Sequence, residues 1–291
     1  MSIVITGATG QLGRLVIADL LAAGIPADGI TAVARSRERA ADLVARGVGL
    51  HIADYDEPET FTRAFRPEDR VLLISGSEVG RRTAQHAAVI EAARVTGVAQ
   101  LAYTGVFGGP RADFQLATEH RETEQLILDS GLPYTFLRNN WYSEVYAVNE
   151  LPGILSRGAI VTNVTPGSRI ATATRADYAA AAAVVLREDG HLGRAYELSG
   201  DTAWSFEEFA EEVSRQAGRT VVHTSLPGAE RAALLTSAGV PGPLAEVLVD
   251  VDEAISRGLL AGTPGDLSRL TGRPTTPIAD TIAAGLAGQP G

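Results

Sequence analysis

The sequence predicts an α/β protein: a doubly wound, mostly parallel sheet with a smaller α-rich lobe towards the C-terminus. Three observations predict it. Short continuous apolar runs alternate with helical patterns through the first half of the chain, which forces right-handed crossovers between parallel strands. A glycine-rich turn at 7–13 follows the first of those runs directly. After about residue 138 the alternation gives way to Gly, Pro and Thr, and then to further helical stretches. The expected division is 1–145 for the sheet domain and 146–291 for a mainly substrate-covering lobe, interleaved with the last strands of the sheet.

Taken in order, Ile3-Val4-Ile5 is the kind of run a strand buried on both faces needs. Residues 12–23 read as a helix ending near Gly24, and 30–34 as the second strand. Ser36 is placed to cap the next helix, which runs to about residue 46. Residues 50–53 suggest a third strand and 71–74 a fourth, followed by a helix through 84–94 that Gly97 stops. A fifth strand at 101–103, a helix over 119–129 and a sixth strand at 134–137 complete the alternation. Residues 151–170 look like loops with short strands. Thr174 with Asp177, and Ser205 with Glu208, have capping-box spacing and open helices to 187 and over 206–215. Helical stretches near 230–237 and 243–257 precede a last one over 277–286.

Composition narrows the function. The chain has 291 residues, 45% hydrophobic and 21% charged, which is ordinary globular composition. A formal net charge of −10 argues against a general nucleic-acid or anionic-membrane binder, because both need positive surface. With no cysteine, disulfides, thiolate catalysis, Fe–S clusters and Cys-based zinc sites drop out. No run approaches the roughly 18 apolar residues of a spanning helix, and the start is a strand rather than a signal peptide. A cytoplasmic protein is the expectation. All 25 basic residues are arginine, so Schiff-base lysines, P-loop lysines and Tyr-x-x-x-Lys dyads are excluded.

The turn itself reads Thr6-Gly7-Ala8-Thr9-Gly10-Gln11-Leu12-Gly13. Gly7 allows the tight turn, Gly10 lets the backbone approach a pyrophosphate, and Gly13 lets the helix pack closely on the strand. Between a strand and a helix, this spacing is the dinucleotide-binding signature of a Rossmann domain, with the pyrophosphate on the helix N-terminus. An NAD site would carry Asp or Glu at the end of strand two. Here that strand ends in Arg35, whose planar fork suits a 2′-phosphate, so NADP(H) is the expected cofactor. Arg37 and Arg39 read as solvated helix positions. Asp54, after strand three, could meet the adenine amino group or serve a turn with Asp56; the sequence leaves both open.

Five stretches carry a resemblance: the glycine turn, Ser75-Gly76-Ser77-Glu78-Val79-Gly80, Arg138-Asn139-Asn140-Trp141-Tyr142-Ser143-Glu144, Ala173-Thr174-Arg175-Ala176-Asp177-Tyr178 and Leu270-Thr271-Gly272-Arg273-Pro274. With them the chain resembles, over essentially its whole length, the NmrA-like branch of the atypical short-chain dehydrogenase/reductases, and within it the bacterial type 2 NADPH:quinone oxidoreductases. The resemblance implies that residues Gly7 to Leu12 cradle the pyrophosphate and that Arg35 holds the 2′-phosphate. It places the loop from Ser75 and Gly76 through Ser77, Glu78 and Val79 along the ribose and nicotinamide, with Tyr103 in the same cofactor-binding set. Asn139, Asn140, Trp141, Tyr142, Ser143 and Glu144 would line the nicotinamide and quinone pocket, with Arg175 nearby. Asn140, Trp141 and Tyr142 would position the substrate. Asn140 stands where the family usually has glycine, and Gly105 where it usually has a hydroxyl.

The residues agree with a hydride transfer that needs little acid–base help. Ordinary short-chain dehydrogenases protonate a carbonyl oxygen with a lysine-assisted tyrosine, and the equivalent helix here reads His120-Arg121-Glu122-Thr123-Glu124. A quinone fits better, because its reduced oxygens are phenolic and solvent can protonate them; the protein then positions donor against flat acceptor. Trp141 and Tyr142 could stack on that acceptor or simply be core aromatics. His120 and Glu124 lie one turn apart with no third metal ligand near; a buried polar pair, or a proton relay through His120, are the other readings. The partner expected is a small-molecule quinone, with no nucleic acid and no membrane, and a homodimer is compatible. Two competing readings stand beside the reductase: a non-catalytic NADP(H)-binding redox sensor, and a reductase of another conjugated carbonyl substrate.

Overall fold

The computed structural model describes residues 2–288. Strands β1 (Ile3–Ile5), β2 (Ile30–Ala34), β3 (Gly49–Ile52), β4 (Arg70–Leu73), β5 (Gln100–Val106) and β6 (Tyr134–Asn139) alternate with helices α1 (Gln11–Ala22), α2 (Ala41–Ala45), α3 (Arg82–Thr96) and α4 (Gln115–Asp129). There follow α5 (Leu151–Arg157), β7 (Ala159–Thr162), β8 (Arg169–Ile170), α6 (Arg175–Arg187), β9 (Arg194–Leu198) and β10 (Trp204–Ser205). The chain closes with α7 (Phe206–Ala217), β11 (Val222–Ser225), α8 (Gly228–Ser237), α9 (Gly242–Ser256), α10 (Asp266–Thr271) and α11 (Ile278–Ala287).

Two compact units share this chain. Unit 1 takes the residues up to Pro110, then Glu119–Asn139 and Arg175–Glu197; unit 2 takes Arg111–Thr118, Asn140–Thr174 and the chain from Leu198 on.

The sheet has seven strands in the order β3-β2-β1-β4-β5-β6-β9, and the pairs from β3 across to β6 are parallel. Strand order reverses beside β1, with β2 and β3 to one side and β4, β5 and β6 to the other. In open α/β sheets that switch point is where ligands bind, beyond the carboxyl ends of the strands. Apolar side chains on the strands of unit 1 (Val4, Val33, Val71, Leu73, Leu101) pack with Phe61, Phe65, Val89, Ile127 and Phe136 into one buried core. Helix α6 lies against α1, and its buried Ala179, Ala181, Ala182 and Ala183 offer little side-chain bulk between the helix axes. Gly97, at φ 73°, ends α3 by donating to the Ala93 carbonyl at 2.8 Å, a left-handed helix stop that only glycine adopts without cost.

Unit 2 centres on aromatic rings: Tyr146 lies edge-on to Trp204 and Phe206, and Trp204 stacks on Phe209 with centroids 5.1 Å apart. The predicted capping box at α7 is complete. Ser205 Oγ accepts from the Glu208 N–H at 3.3 Å, and Glu208 Oε2 accepts from the Ser205 N–H at 3.1 Å. Strand β11 pairs parallel with β7, and β10 antiparallel with β8. Among the described residues no helix is long and apolar enough to cross a membrane.

Some local expectations change. Ser36 caps a 3-10 turn over Glu38–Ala40 rather than a long helix: its Oγ accepts from the Arg39 N–H, and α2 spans only five residues. The start of 151–170, expected as loop, is α5. Pro152 sits in the first helical turn, where its missing N–H costs nothing, and Leu151 and Ile154 bury themselves. Helix α10 and strand β9 were not among the elements located from sequence. The first is six residues between Gly265 and Gly272, and the second has mixed polarity.

Candidate cofactor and active site

The glycine turn forms a tight corner whose backbone leaves no space for a side chain at Gly13. Gly7 takes φ 62°, and the Gly10 N–H closes on its carbonyl at 3.0 Å. A Cβ at Gly13 would fall 2.6 Å from the Gly7 carbonyl oxygen and 2.8 Å from Ala8 Cα. Helix α1 therefore starts against the turn, as close as backbone allows. Gly10 is its N-cap, no side chain caps the first turn, and no acidic residue lies in it. Those N–H groups and the helix dipole fit a bound anion. Ala8 and Leu12 are buried beneath the corner, while Gly7, Gly10 and Gln11 are exposed and Thr9 is half-buried. Arg14, unremarked in the sequence, braces it from behind: Nε donates to the Thr9 carbonyl at 3.1 Å, and the guanidinium reaches Asp42 and the Arg39 carbonyl.

Across the carboxyl ends of β2 and β4, the exposed Arg35 guanidinium lies 3.7 Å from Glu78. An exposed pair at that distance binds weakly, so Arg35 can turn onto a phosphate. The nearest acid after β2, Glu38, is engaged elsewhere: it accepts from the Ser36 hydroxyl, which lowers its pKa. Arg81 joins Glu78 to Asp56. Asp54 Oδ1 accepts from the Asp56 N–H at 3.1 Å, so its side chain shapes a turn. The cradle and the arginine together fit a dinucleotide bearing a 2′-phosphate.

Between those anchors runs the segment from Ser75 to Val79. The Ser75 N–H donates to Thr104 Oγ1 at 2.9 Å; the Gly76 N–H donates to His86 Nε2 at 3.0 Å, and its carbonyl accepts from Arg82 Nε at 2.7 Å. Ser77 and Val79 are exposed.

Beneath that segment, Tyr103 is fully buried and its hydroxyl meets His120 Nδ1 at 2.7 Å. Burial raises the phenol's pKa, and burial, followed by the charge of Arg82, pulls the imidazole well below its usual value. The proton stays on the phenol and the ring stays neutral, so the pair does not act as an ionising acid of the Tyr-x-x-x-Lys kind. Glu124 does not pair with His120. It holds Arg138 through both carboxylate oxygens, at 2.9 and 2.7 Å, and Glu197 takes another nitrogen of the same guanidinium at 2.9 Å. Burial opposes that charge, but the bonds to Glu124 and Glu197 outweigh it and keep Arg138 firmly protonated.

Asn139 ends β6 in unit 1, buried, and no hydrogen bond reaches its Oδ1. Arg175 opens α6, half-buried. The remaining expected residues belong to unit 2. Asn140 braces that unit: Nδ2 donates to the Leu260 carbonyl at 2.9 Å, and Oδ1 accepts from the Trp141 N–H at 2.8 Å. Tyr142 bridges to Ala173, and buried Ser143 shares a 2.8 Å hydrogen bond with Thr172. Thr172 also accepts from Trp204 Nε1 and lines a cavity of about 290 Å³ within unit 2. Trp141, Tyr142 and Glu144 are half-buried. Sequence reasoning missed Arg14, Arg82, His86 and Glu119. Each acts across 5 to 39 residues of sequence and has no local pattern.

The NAD(P)H-binding family model matches residues 7–189. Quinone oxidoreductase 2 of Escherichia coli strain K12 is 44% identical over 281 residues, 97% of each chain. The crystal structure of that NADPH-dependent enzyme, complexed with NADPH, superposes with a TM-score of 0.94 over 97% of this chain and 99% of that one. Triphenylmethane reductase of Citrobacter sp., solved with NADP(H), is 39% identical with a TM-score of 0.93 over 98% and 100%. An NmrA-like oxidoreductase of Aspergillus flavus is 28% identical over 97% of this chain and 94% of its own. The chain belongs to the NAD(P)H-binding family, on the NmrA-like branch that its own motifs resemble.

Proposed function

We propose that the protein is an NADPH-dependent reductase that transfers a hydride to a quinone in a two-electron reduction. The observation that carries this reading is the full-length, 44% identical likeness to a quinone oxidoreductase crystallised with NADPH. The site's chemistry supports it. NADPH supplies the hydride; the corner at Gly7, Gly10 and Gly13 binds the pyrophosphate, and Arg35 takes the 2′-phosphate. The segment from Ser75 to Val79 carries the ribose and nicotinamide, with Asn139 and Arg175 beside them. Trp141 and Tyr142 offer the acceptor flat surfaces, and Asn140 holds their backbone in place. With Tyr103 and His120 neutral, the one proton the reduction consumes comes from solvent, and NADPH supplies the other hydrogen as hydride: quinone, NADPH and one proton give hydroquinone and NADP⁺. The same reading takes a cytoplasmic setting and a homodimer, the latter checked by light scattering.

Absorbance loss of NADPH on adding benzoquinone or a naphthoquinone tests it, with NADH and Arg35→Ala alongside. Saturable turnover that prefers NADPH, with the preference lost in the variant, is expected. Removing a charge-assisted bidentate contact should weaken NADPH roughly 10- to 100-fold and leave NADH nearly unchanged. Tight NADPH binding without turnover on any quinone would sink the reductase and favour a sensor, which binds oxidised and reduced cofactor differently.

A further inference from the structure

The segment between β4 and α3 has little backbone structure of its own. It closes only short turns, from the Val79 N–H to Ser77 and from the Arg81 N–H to Glu78. Side chains from α3, α4 and β5 hold it instead. Thr104 takes the Ser75 N–H, and the Glu119 carboxylate takes the N–H groups of Gly80 and Arg82 at 3.1 and 3.0 Å. At Gly76 both backbone groups are held by side chains, the N–H by His86 and the carbonyl by Arg82. The fit is close, since a Cβ on Gly76 would fall 3.2 Å from Gln85 Oε1 and 3.8 Å from His86 Nε2.

His86 is fully buried and does nothing in the reduction as derived above. Its bonds fix its tautomer. Nε2 accepts from Gly76, so the ring proton is on Nδ1, which donates to Thr123 Oγ1 at 3.0 Å; that hydroxyl donates onward to the Glu119 carbonyl at 2.7 Å. Burial, reinforced by Arg82, holds the imidazole pKa down to about 3, so Nε2 remains an acceptor at neutral pH.

We propose that His86, acting with Arg82, is a positioning residue: by pinning the Gly76 peptide it presets the Ser75–Val79 segment in the shape that receives the ribose-nicotinamide half of NADPH. The proposal rests on the NADPH reading. Without the acceptor, a part-buried N–H loses its partner and the segment samples other shapes, so binding must order it again, and affinity falls.

The test compares full-length wild type, His86→Gln and His86→Leu by NADPH titration (quenching of protein fluorescence), apo melting temperature and amide exchange over the loop. Glutamine keeps an acceptor near the Nε2 position; leucine does not. Expected is a roughly tenfold loss of NADPH affinity in His86→Leu, with faster exchange at Gly76, and recovery of most of both in His86→Gln. Melting temperature should fall in both variants, because both disturb the buried ring. Wild-type affinity in His86→Leu, or affinity losses that track melting temperature with no rescue by glutamine, would overturn the proposal. Thr123→Val, nearly isosteric, frees the ring's far nitrogen and covers failure of His86→Leu to fold. A two- to fivefold affinity loss with faster Gly76 exchange supports the proposal, and no change in either overturns it. Wild type that binds no NADPH would overturn the cofactor reading and this proposal together, whereas normal wild-type binding with unaltered variants overturns this proposal alone.

Discussion

In unit 1 the buried titratable groups with displaced pKa values include two bases, His86 and His120, both held neutral by burial. In unit 2 they include two acids. Burial raises the pKa of Asp252 to about 6 and pushes Glu150 upward as well, in spite of Arg231 nearby. The first arrangement favours neutral or alkaline conditions and the second favours acid, so the units should respond to pH with opposite sign. His86 has a folded pKa far below its ordinary 6.5, so the unfolded chain binds the proton first, and stability falls as pH drops from 6.5 towards 3. Asp252 has a folded pKa above its ordinary 3.8, so the folded chain holds the proton longer, and stability falls as pH rises from 3.8 through 6. A neutral His86 keeps its hold on the Gly76 N–H as pH changes around neutrality.

The sharpest way to break the contrast is to strip a charge from unit 1. Glu124→Ala leaves the partly buried Arg138 with Glu197 as its remaining carboxylate, and urea unfolding should show a loss of about 2–3 kcal/mol. A loss under 1 kcal/mol would mean that water reaches the guanidinium. Next in size is the acid limb. His86→Gln should be less stable than wild type at pH 7 yet lose less on going to pH 4.5, because a slope of about 1.4 kcal/mol per pH unit disappears with the imidazole. Parallel curves for the two proteins would remove His86 from the argument. In unit 2, Asp252→Asn keeps an acceptor for the Asn163 N–H and should stabilise the protein by about 2 kcal/mol at pH 8, with no gain at pH 4. Equal effects at both pH values would show that packing, not ionisation, separates the two residues. The smallest effect belongs to the cap: Ser205→Ala should cost about 1 kcal/mol at any pH.

The two units also differ in how well their sequences announce them. Unit 1 rests on short-range signals: apolar runs at 3–5 and 71–74, three glycines in one turn, and Gly97 as a helix stop. The glycine turn was legible because a single heptapeptide contains it. The side chains that hold the segment between β4 and α3 were not, because His86, Arg82 and Glu119 sit on ordinary helices and meet their partners only through the fold. In unit 2 the aromatic rings of Tyr146, Trp204, Phe206 and Phe209 come from segments up to 63 residues apart, and no periodicity marks such a cluster. Helix α5 was hidden by Pro152 and Gly153, which look like breakers until Pro152 proves to lie in the first turn. Asn140 was legible as a departure from its family but not as a brace, since its partner Leu260 lies 120 residues away.

The route of the chain through unit 1 has a consequence for its birth. The unit is written in three stretches, and the 35 residues 140–174 of unit 2 intervene before helix α6 and strand β9 arrive. At a synthesis rate of about 5–20 residues per second, a nascent chain waits roughly 2–7 s for that stretch alone. Until β9 emerges, the outer edge of β6 is an open strand, and open edges invite pairing with other chains. A fragment ending near residue 145 would live permanently in that state, without α6 against α1 and without β9 on the edge of β6. The nucleotide-binding signature is complete by Gly13, yet the unit that displays it can finish folding only once Glu197 has been made.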